Sequence, residues 1–236
     1  MRTKVIVECG HNFNGDLKLA GEMIREAKKA GAKTVKFQIY DTDKLGIKEK
    51  YGLEVYKDLK MSELTFADVR ALKSVCDVVD MEFFASVFDV ERVSWCEEIN
   101  MNKYKIASRS IHDRELIDAI CDTRKDVIAS LGMWNEEGLP DINTSGNVDF
   151  LYCIANYPAS FKEVNLPFFG DKYSGFSDHT VGILASLVAV SRGAKIIEKH
   201  FTLDKKMYGY DQRSSIEPYE LSELIRKINL IEEILY

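Results

Sequence analysis

Several features that would define a class of protein are scarce in this sequence. Its 236 residues include only four prolines and no serine- or glycine-rich linker, which excludes a low-complexity or disordered segment. The five cysteines form no C-x-x-C pair, which excludes a disulfide scaffold and is typical of reduced cytosolic thiols. No apolar run reaches the 18 residues of a membrane span, and the run in MRTKVIVECG is too short for a signal peptide.

Positive charge is also in short supply. Lysine and arginine number 32 against 38 aspartates and glutamates, which leaves a net charge of −6. A general nucleic-acid binder needs a basic face, whereas a few local lysines are enough to hold a small anion. With 46% hydrophobic residues, the composition is that of an ordinary soluble globule. We therefore expect a cytoplasmic protein with a small-molecule ligand and with neither nucleic acid nor membrane as a partner.

Short β-branched and aromatic runs alternate with longer amphipathic stretches along the chain. The predicted strands begin at Lys4, Thr34, Glu82, Lys103, Asp126, Asp149, Tyr173 and Lys195. The clearest helical patterns are LKLAGEMIREAKKAG, FADVRALKSVCDV, HDRELIDAIC and PYELSELIRKINLIEEIL. Asp113 is a candidate N-cap for the third helix, and Pro218 suits the first position of the last.

This alternation predicts an α/β protein whose residues 1–236 form a single (β/α)₈ TIM-barrel domain. Strands separated by helices pair in parallel through right-handed crossovers. The seven repeats between Lys4 and Lys195 average about 27 residues, which suits a compact barrel. A doubly wound open sheet is the alternative, but the first turn, GHNFNGD, lacks the G-x-G-x-x-G spacing common in dinucleotide-binding sheets.

Polar residues interrupt the predicted strands near their carboxyl ends. Strands buried on both faces should be almost continuously apolar, yet these contain Glu8, Lys36, Gln38, Lys105, Glu198, Lys199 and His200. A lone lysine can reach solvent from a sheet edge, but unpaired buried charges at four strand ends would each cost several kcal/mol. The pattern therefore predicts an inward-facing, ligand-filled pocket on the rim where barrel enzymes build their sites.

Two of the four histidines end neighbouring predicted strands. His179 follows the seventh strand in FSDHT, and His200 ends the eighth in EKHF. Two imidazoles with oxygen ligands suit Mn²⁺, Fe²⁺, Co²⁺ or Zn²⁺, although two hydrogen-bonded core histidines are an equally good interpretation. His11 and His112 show no partner pattern and are interpreted as loop residues.

Three strand-end lysines, Lys36, Lys105 and Lys199, suggest an anionic substrate that carries a phosphate and a carboxylate. The sequence has no P-loop, so point charges, backbone amides and hydroxyl groups would hold the phosphate. Candidate hydroxyl donors follow strands three, four and five, at Ser86, Ser108 and Ser130. Each serine alone is equally well explained as a turn-stabilising hydroxyl.

Taken together, these segments resemble the N-acetylneuraminate (sialic acid) synthases and their pseudaminic and legionaminic acid relatives. The resemblance runs from Val7 to Pro218 and is carried by VECGHNFNGDLKLAGEMIREAKKAGAKTVKFQIY, FFASVFDVE, KYKIAS, LYCIANYP, GFSDHTVGILASLVAVSRGAKIIEKHFTLD and GYDQRSSIEP. It implies a condensation of phosphoenolpyruvate with an aldose, similar to N-acetylmannosamine, that gives a 2-keto-3-deoxy sugar acid and phosphate. It also implies a divalent metal, Mn²⁺ first, with Mg²⁺, Co²⁺ or Fe²⁺ as alternatives.

The resemblance implies a role for each matching residue. His179 and His200 correspond to metal ligands, and Glu8 to an acid that contacts the acceptor and handles protons. Phosphoenolpyruvate contacts are expected from Lys36, Lys105, Ser108 and Ser130, with Gln38, Ser86 and Lys199 beside them. Acceptor-side and acid–base groups are expected at Tyr157, Ser177, Glu198 and Asp211.

The chain departs from the family pattern at positions that shape the expected acceptor site. Phe13 stands where the family has a rim histidine, and Ser110 where it has an acid; the other departures are Val87, Leu131, Ala155 and Gln212. From the resemblance we expect no antifreeze-like domain after Tyr236; in the family that domain supplies an arginine to the partner subunit. We therefore expect a homodimer with a changed acceptor preference, or a separate protein that completes the acceptor site. The alternatives are a related barrel aldolase or sugar-phosphate synthase, and a non-catalytic subunit that binds a sugar acid.

Overall fold

A computed structural model describes residues 2–235, which fold around a closed barrel of eight parallel strands. The strands follow the chain in order, and the eighth pairs with the first. They are β1 (Lys4–Gly10), β2 (Thr34–Ile39), β3 (Glu82–Val87), β4 (Lys103–Ile106), β5 (Asp126–Ser130), β6 (Val148–Cys153), β7 (Gly175–Asp178) and β8 (Ile196–His200). Each begins within two residues of its predicted start. The predicted barrel is confirmed, and the open-sheet alternative is wrong.

Helices surround most of the barrel. They are α1 (Leu17–Lys29), α2 (Ile47–Tyr51), α3 (Leu53–Met61), α4 (Phe66–Val78), α5 (Val90–Glu98), α6 (Arg114–Asp122), α7 (Leu184–Ser191) and α8 (Pro218–Leu235). Within the described chain, segments 131–147 and 154–174 contain no helix, so β5, β6 and β7 are joined by loops. None of the described helices is both long and apolar enough to cross a membrane.

Local sequence signals set the helix ends. The side chain of Asp16 accepts hydrogen bonds from Lys18 N and Leu19 N at the start of α1, and Gly31, with φ of +97°, follows its end. Asp113 caps α6 by accepting from Leu116 N, as the sequence predicts. These caps orient the helices that cover the outer face of the barrel.

The core between barrel and helices holds one residue that was expected on the rim. Phe13 is 1% exposed, and its ring lies 6.0 Å from that of Phe37. Phe37 alternates with Lys36 and Gln38 along β2, so its side chain points away from the barrel interior. Phe13 therefore packs outside the barrel, and its interpretation as a rim residue is wrong.

Strand register brings the polar positions to one level. Glu8 on β1 pairs with Lys36 on β2 and with His200 on β8. Ser177 on β7 pairs with Glu198 on β8. Because all strands run in the same direction, these residues share the rim formed by the carboxyl ends of the strands, here called the carboxyl rim.

Candidate active site at the carboxyl rim

Four buried charges form the centre of the rim. Lys36 Nζ lies 2.5 Å from Glu8 Oε2 and 3.1 Å from Glu198 Oε2, while Lys105 Nζ lies 3.8 Å from Glu198 Oε1. All four side chains belong to residues no more than 4% exposed. Burying unpaired charges is costly, so this mutual pairing is what allows the group to exist inside the barrel.

Hydroxyl and amide side chains surround these charges. Lys36 donates to Ser86 Oγ at 3.0 Å, and Lys105 donates to Ser130 Oγ at 2.7 Å. Ser177 donates to Glu198 Oε1 at 2.8 Å, and Gln38 Nε2 lies 3.4 Å from Glu8 Oε1. The predicted site residues Ser86, Ser130, Ser177 and Gln38 thus each lie next to one of the four charged side chains.

Ser108 lies at the edge of the same cluster. Its hydroxyl accepts a hydrogen bond from Gly132 N at 3.1 Å and lies 3.6 Å from Cys153 Sγ. It is therefore held by the backbone that follows β5, close to the charged centre but without a bond to either lysine.

Burial and neighbouring charges shift the pKa values of Lys36 and Glu198. Burial lowers the pKa of Lys36, and although Glu198 opposes this effect, the pKa falls to about 8. Burial alone would raise the pKa of Glu198, but Lys105 and Lys36 outweigh it and lower the pKa to about 2. At neutral pH the carboxylate of Glu198 is therefore ionised. The ammonium group of Lys36 beside it loses its proton at a lower pH than an ordinary lysine does.

The two predicted metal ligands are brought together. The ring centroids of His179 and His200 lie 5.4 Å apart. Tyr157, which is 47% exposed, stacks on His179 with 4.0 Å between centroids and meets His200 edge-on at 5.6 Å. The phenol ring therefore covers both imidazoles on the solvent side.

An oxygen atom lies near Nδ1 of each imidazole. His179 Nδ1 lies 2.7 Å from the carbonyl oxygen of Ile154 and is hydrogen-bonded to it. His200 Nδ1 lies 3.3 Å from Asp211 Oδ2 without hydrogen-bond geometry. Burial lowers the pKa of His200 to about 3 despite Asp211, so this ring is neutral at pH 7. Burial would raise the pKa of Asp211, but His200 and His11 together lower it.

This arrangement fits a bound metal ion. The carbonyl oxygen at Nδ1 of His179 leaves Nε2 of that ring as the ligating atom, which is how proteins orient metal-binding histidines. Among residues 2–235, no third His, Cys, Asp or Glu completes a ready three-ligand group with them. A metal ion at this place would therefore have the two histidines as its protein ligands among the described residues.

One predicted site residue, Lys199, does not face the site. Lys199 alternates with Glu198 and His200 along β8, so its side chain points to the outer face of the barrel. There its Nζ lies 3.2 Å from Asp178 Oδ2 and donates to the carbonyl of Thr180. The prediction that Lys199 contacts substrate is wrong, because strand alternation separates it from Lys36 and Lys105.

Two further residues belong to the site although sequence reasoning missed them. His11 lies in the turn after β1, as its interpretation as a loop residue predicts, but it is buried, with Nδ1 3.8 Å from Asp211 Oδ2. Cys153 ends β6 with its sulfur 3.8 Å from His179 Nδ1. Both residues lie at the carboxyl end of a strand, which is where site residues are expected in a barrel. A single histidine or cysteine at such a position was not enough to identify either one from the sequence. His112, by contrast, stacks on Trp134 at the surface, as a loop residue would.

Fold and site together define a TIM-barrel protein with a buried cluster of paired charges at its carboxyl rim. The chain belongs to the NeuB family, which matches residues 23–236, and the resemblance inferred from sequence is confirmed. It is 36% identical to an uncharacterized protein of Methanocaldococcus jannaschii, covering 99% of this chain and 72% of that one. Identity to the N,N'-diacetyllegionaminic acid synthase of Campylobacter jejuni is 37%, covering 98% and 77%.

A solved structure shares this fold over the full chain. It is the N-acetylneuraminic acid (sialic acid) synthetase of Leptospira borgpetersenii in complex with citrate, with a TM-score of 0.90 and 32% identity. The match covers 100% of this chain and 85% of that one. The barrel and its order of elements are therefore shared with a sugar-acid synthase.

Proposed function

We propose that this protein joins phosphoenolpyruvate to the aldehyde carbon of an aldose and releases phosphate and a 2-keto-3-deoxy sugar acid. The observation that carries the proposal is the paired cluster of Lys36, Lys105, Glu8 and Glu198 beside two adjacent imidazoles. Relatives named as sialic and legionaminic acid synthases support the same reaction class.

The charge balance of the site supports a divalent metal as part of the proposal. The two ammonium groups and two carboxylates at the centre cancel one another. A substrate with a phosphate and a carboxylate brings in about two to three negative charges. A cation at His179 and His200 would restore the balance, and Mn²⁺ is our first choice among the metals that accept nitrogen and oxygen ligands. When bound, such a metal supplies Lewis-acid polarisation of the aldehyde.

In the proposed mechanism the lysines bind substrate, and the carboxylates orient water and handle protons. Lys36 and Lys105, with the hydroxyl groups of Ser86 and Ser130, hold the phosphate and carboxylate of phosphoenolpyruvate. The C2=C3 π electrons of phosphoenolpyruvate then form the bond from C3 to the aldehyde carbon. Water adds at C2, and the bond between C2 and the phosphate oxygen breaks as the C2 carbonyl forms. Of the two protons of water, one ends on the former aldehyde oxygen and the other leaves with phosphate.

Glu198 is proposed to orient the water that adds at C2. Its low pKa keeps it ionised at neutral pH, so it can accept a hydrogen bond from that water, and Ser177 holds one carboxylate oxygen. Glu8 is assigned to proton handling on the acceptor side, where it contacts Lys36. Asp211 and Tyr157 hold His200 and cover the imidazole pair, so they position the acceptor end of the site.

The test is acceptor-dependent release of phosphate. Purified protein is incubated with phosphoenolpyruvate, Mn²⁺ and a panel of aldoses, including phosphorylated ones, and phosphate and the keto acid are measured. Lys105→Ala should lower kcat/KM at least a hundredfold, because charged hydrogen bonds to the substrate are lost. Lys103→Ala is the matched control, because Lys103 lies two residues earlier on β4, where it pairs with Glu82.

The outcomes separate the candidate functions. Phosphate release with phosphorylated aldoses alone would favour a sugar-phosphate synthase. No release with any aldose would overturn the proposal and favour a binding subunit. The expected shift away from N-acetylmannosamine stays a prediction, which the same panel tests through kcat/KM.

A further inference from the structure

The backbone holds the two imidazoles of the site in different ways. His200 is the last residue of β8 and pairs there with Glu8 of β1, so the sheet itself fixes its position. His179 lies one residue beyond the end of β7, whose last pair with β8 joins Asp178 to Lys199. The ladder between these strands therefore ends before His179, and other contacts hold the backbone of that residue.

Asp178 and Lys199 bind the residue that follows His179 on both sides of its backbone. Asp178 Oδ1 accepts hydrogen bonds from Thr180 N at 2.8 Å and from Thr180 Oγ1 at 2.7 Å. Lys199 Nζ donates to the carbonyl oxygen of Thr180 and lies 3.2 Å from Asp178 Oδ2. The carbonyl oxygen of His179 accepts from Ala159 N at 2.9 Å. The backbone that carries His179 is therefore held on both sides of its imidazole.

The burial of this ion pair shows that stability alone does not account for it. Asp178 is 0% exposed and Lys199 is 1% exposed, and Ser186 on α7 donates to Asp178 Oδ2 at 2.5 Å. Replacing a buried ion pair by apolar side chains of similar volume is often neutral or stabilising. Apolar side chains, however, cannot bond the amide and carbonyl groups of Thr180. The pair therefore supplies directional contacts at the turn that carries His179.

We propose that the ion pair of Asp178 and Lys199 positions His179, and that it thereby sets the separation of the two imidazoles that hold a divalent metal ion. The inference rests on the proposed function, in which both imidazoles bind the metal. Asp178 and Lys199 alternate with inward-facing residues along their strands, so they act through Thr180 and not by contact with metal or substrate. Metal–ligand distances vary by only about 0.2 Å, so a small shift of the His179 backbone weakens binding.

Binding of Mn²⁺ to the purified protein tests this role without turnover. Lys199→Met removes the hydrogen bond to the carbonyl oxygen of Thr180. We expect it to weaken Mn²⁺ binding in calorimetry by about tenfold to a hundredfold, as when other groups that support metal ligands are removed. The electron paramagnetic resonance spectrum of the bound Mn²⁺ should also change, because one of its ligands is displaced. Both measurements are made under conditions where the variant is folded.

Two further variants separate positioning from a loss of stability. Ile120→Ala creates a cavity at a buried position in the last turn of α6, at the end of the barrel opposite the carboxyl rim. It should lower the stability but change Mn²⁺ affinity by less than twofold. Adding Asp178→Asn to Lys199→Met removes the uncompensated buried charge, so part of the stability returns. The Mn²⁺ affinity of this double variant should stay low, because the lysine that donates to the carbonyl oxygen of Thr180 is still absent.

The series distinguishes a positioning role from a structural one. If Mn²⁺ affinity follows stability through all three variants, Ile120→Ala included, the pair is structural and the proposal is overturned. Unchanged affinity in Lys199→Met, or no Mn²⁺ binding by the wild type, would also overturn it. If Lys199→Met does not fold, the double variant and Ile120→Ala decide the question. If Mn²⁺ binding behaves as expected but no phosphate is released, the proposed reaction fails while the positioning role is supported.

Discussion

At the scale of the residue, Lys36 shows how packing changes the chemistry of one side chain. Its ammonium group is 3% exposed and lies between the carboxylates of Glu8 and Glu198. Burial dominates and lowers the pKa to about 8. Lys36 is therefore charged below that pH and neutral above it.

This shift predicts the pH dependence of substrate use. For the free protein, kcat/KM for phosphoenolpyruvate should fall about tenfold per pH unit above pH 8, as Lys36 loses its proton. Arginine stays charged over this range, so Lys36→Arg should give a flatter profile, whatever its absolute rate. The measurement is kcat/KM between about pH 6.5 and 9.5. A flat wild-type profile up to the top of this range would show that the charge of Lys36 does not matter.

At the scale of the element, the pairing of β7 with β8 places both imidazoles. Asp178 lies directly opposite Lys199 in this pair, and each is adjacent in sequence to one of the two histidines. Asp178 also accepts hydrogen bonds from Thr180 Oγ1 and from Ser186 Oγ on α7. The buried ion pair thus ties two strands and a helix together behind the site.

Breaking this pair should destabilise the protein strongly. Lys199→Met leaves the carboxylate of Asp178 buried without its cation, at a cost of about 3–5 kcal/mol in the free energy of unfolding. Adding Asp178→Asn removes the uncompensated charge and should recover part of the loss. Urea unfolding of the single and double variants measures both effects. A loss under about 1 kcal/mol for Lys199→Met would mean that Asp178 finds another partner.

At the scale of the whole molecule, metal binding should be visible as stability. A ligand that binds only the folded state stabilises it by about 2.7 kcal/mol at a hundred times its dissociation constant. For a chain of this size, that corresponds to a rise of about 5–10 °C in melting temperature.

His179→Ala and His200→Ala should lose this response to Mn²⁺. His112→Ala is the control, because that ring is exposed and stacks on Trp134 away from the imidazole pair. Differential scanning fluorimetry with and without Mn²⁺ measures the shift. An equal shift in all three variants would place the cation elsewhere. The homodimer implied by the family resemblance stays a prediction. Light scattering, which measures the molar mass in solution, tests it.

Much of the site was predictable because strand geometry is local. Strand alternation predicts that Lys36 and Gln38 share one face, as do Glu198 and His200. In the structure Lys36 and Gln38 both contact Glu8, and the charge of Glu198 acts on the pKa of His200. The same rule, applied to β8, assigns Lys199 to the opposite face. The wrong prediction for Lys199 arose because all charged residues near strand ends were assumed to face the same pocket. The interpretation of Phe13 failed because a turn after a strand has no fixed period that sets which way its side chains point.

The sequence by itself determined the eight strands, most of the helices between them, helix caps such as Asp113, and the polar positions at the strand ends, because periodicity and capping act over a few residues. Only the tertiary structure decided that His11 meets Asp211 and that Asp58 lies buried beside them. These contacts join loops far apart in the chain, and they exist because closing β8 against β1 brings the first and last loops together. Barrel closure is a property of the whole sheet, so no local pattern in the sequence reports it.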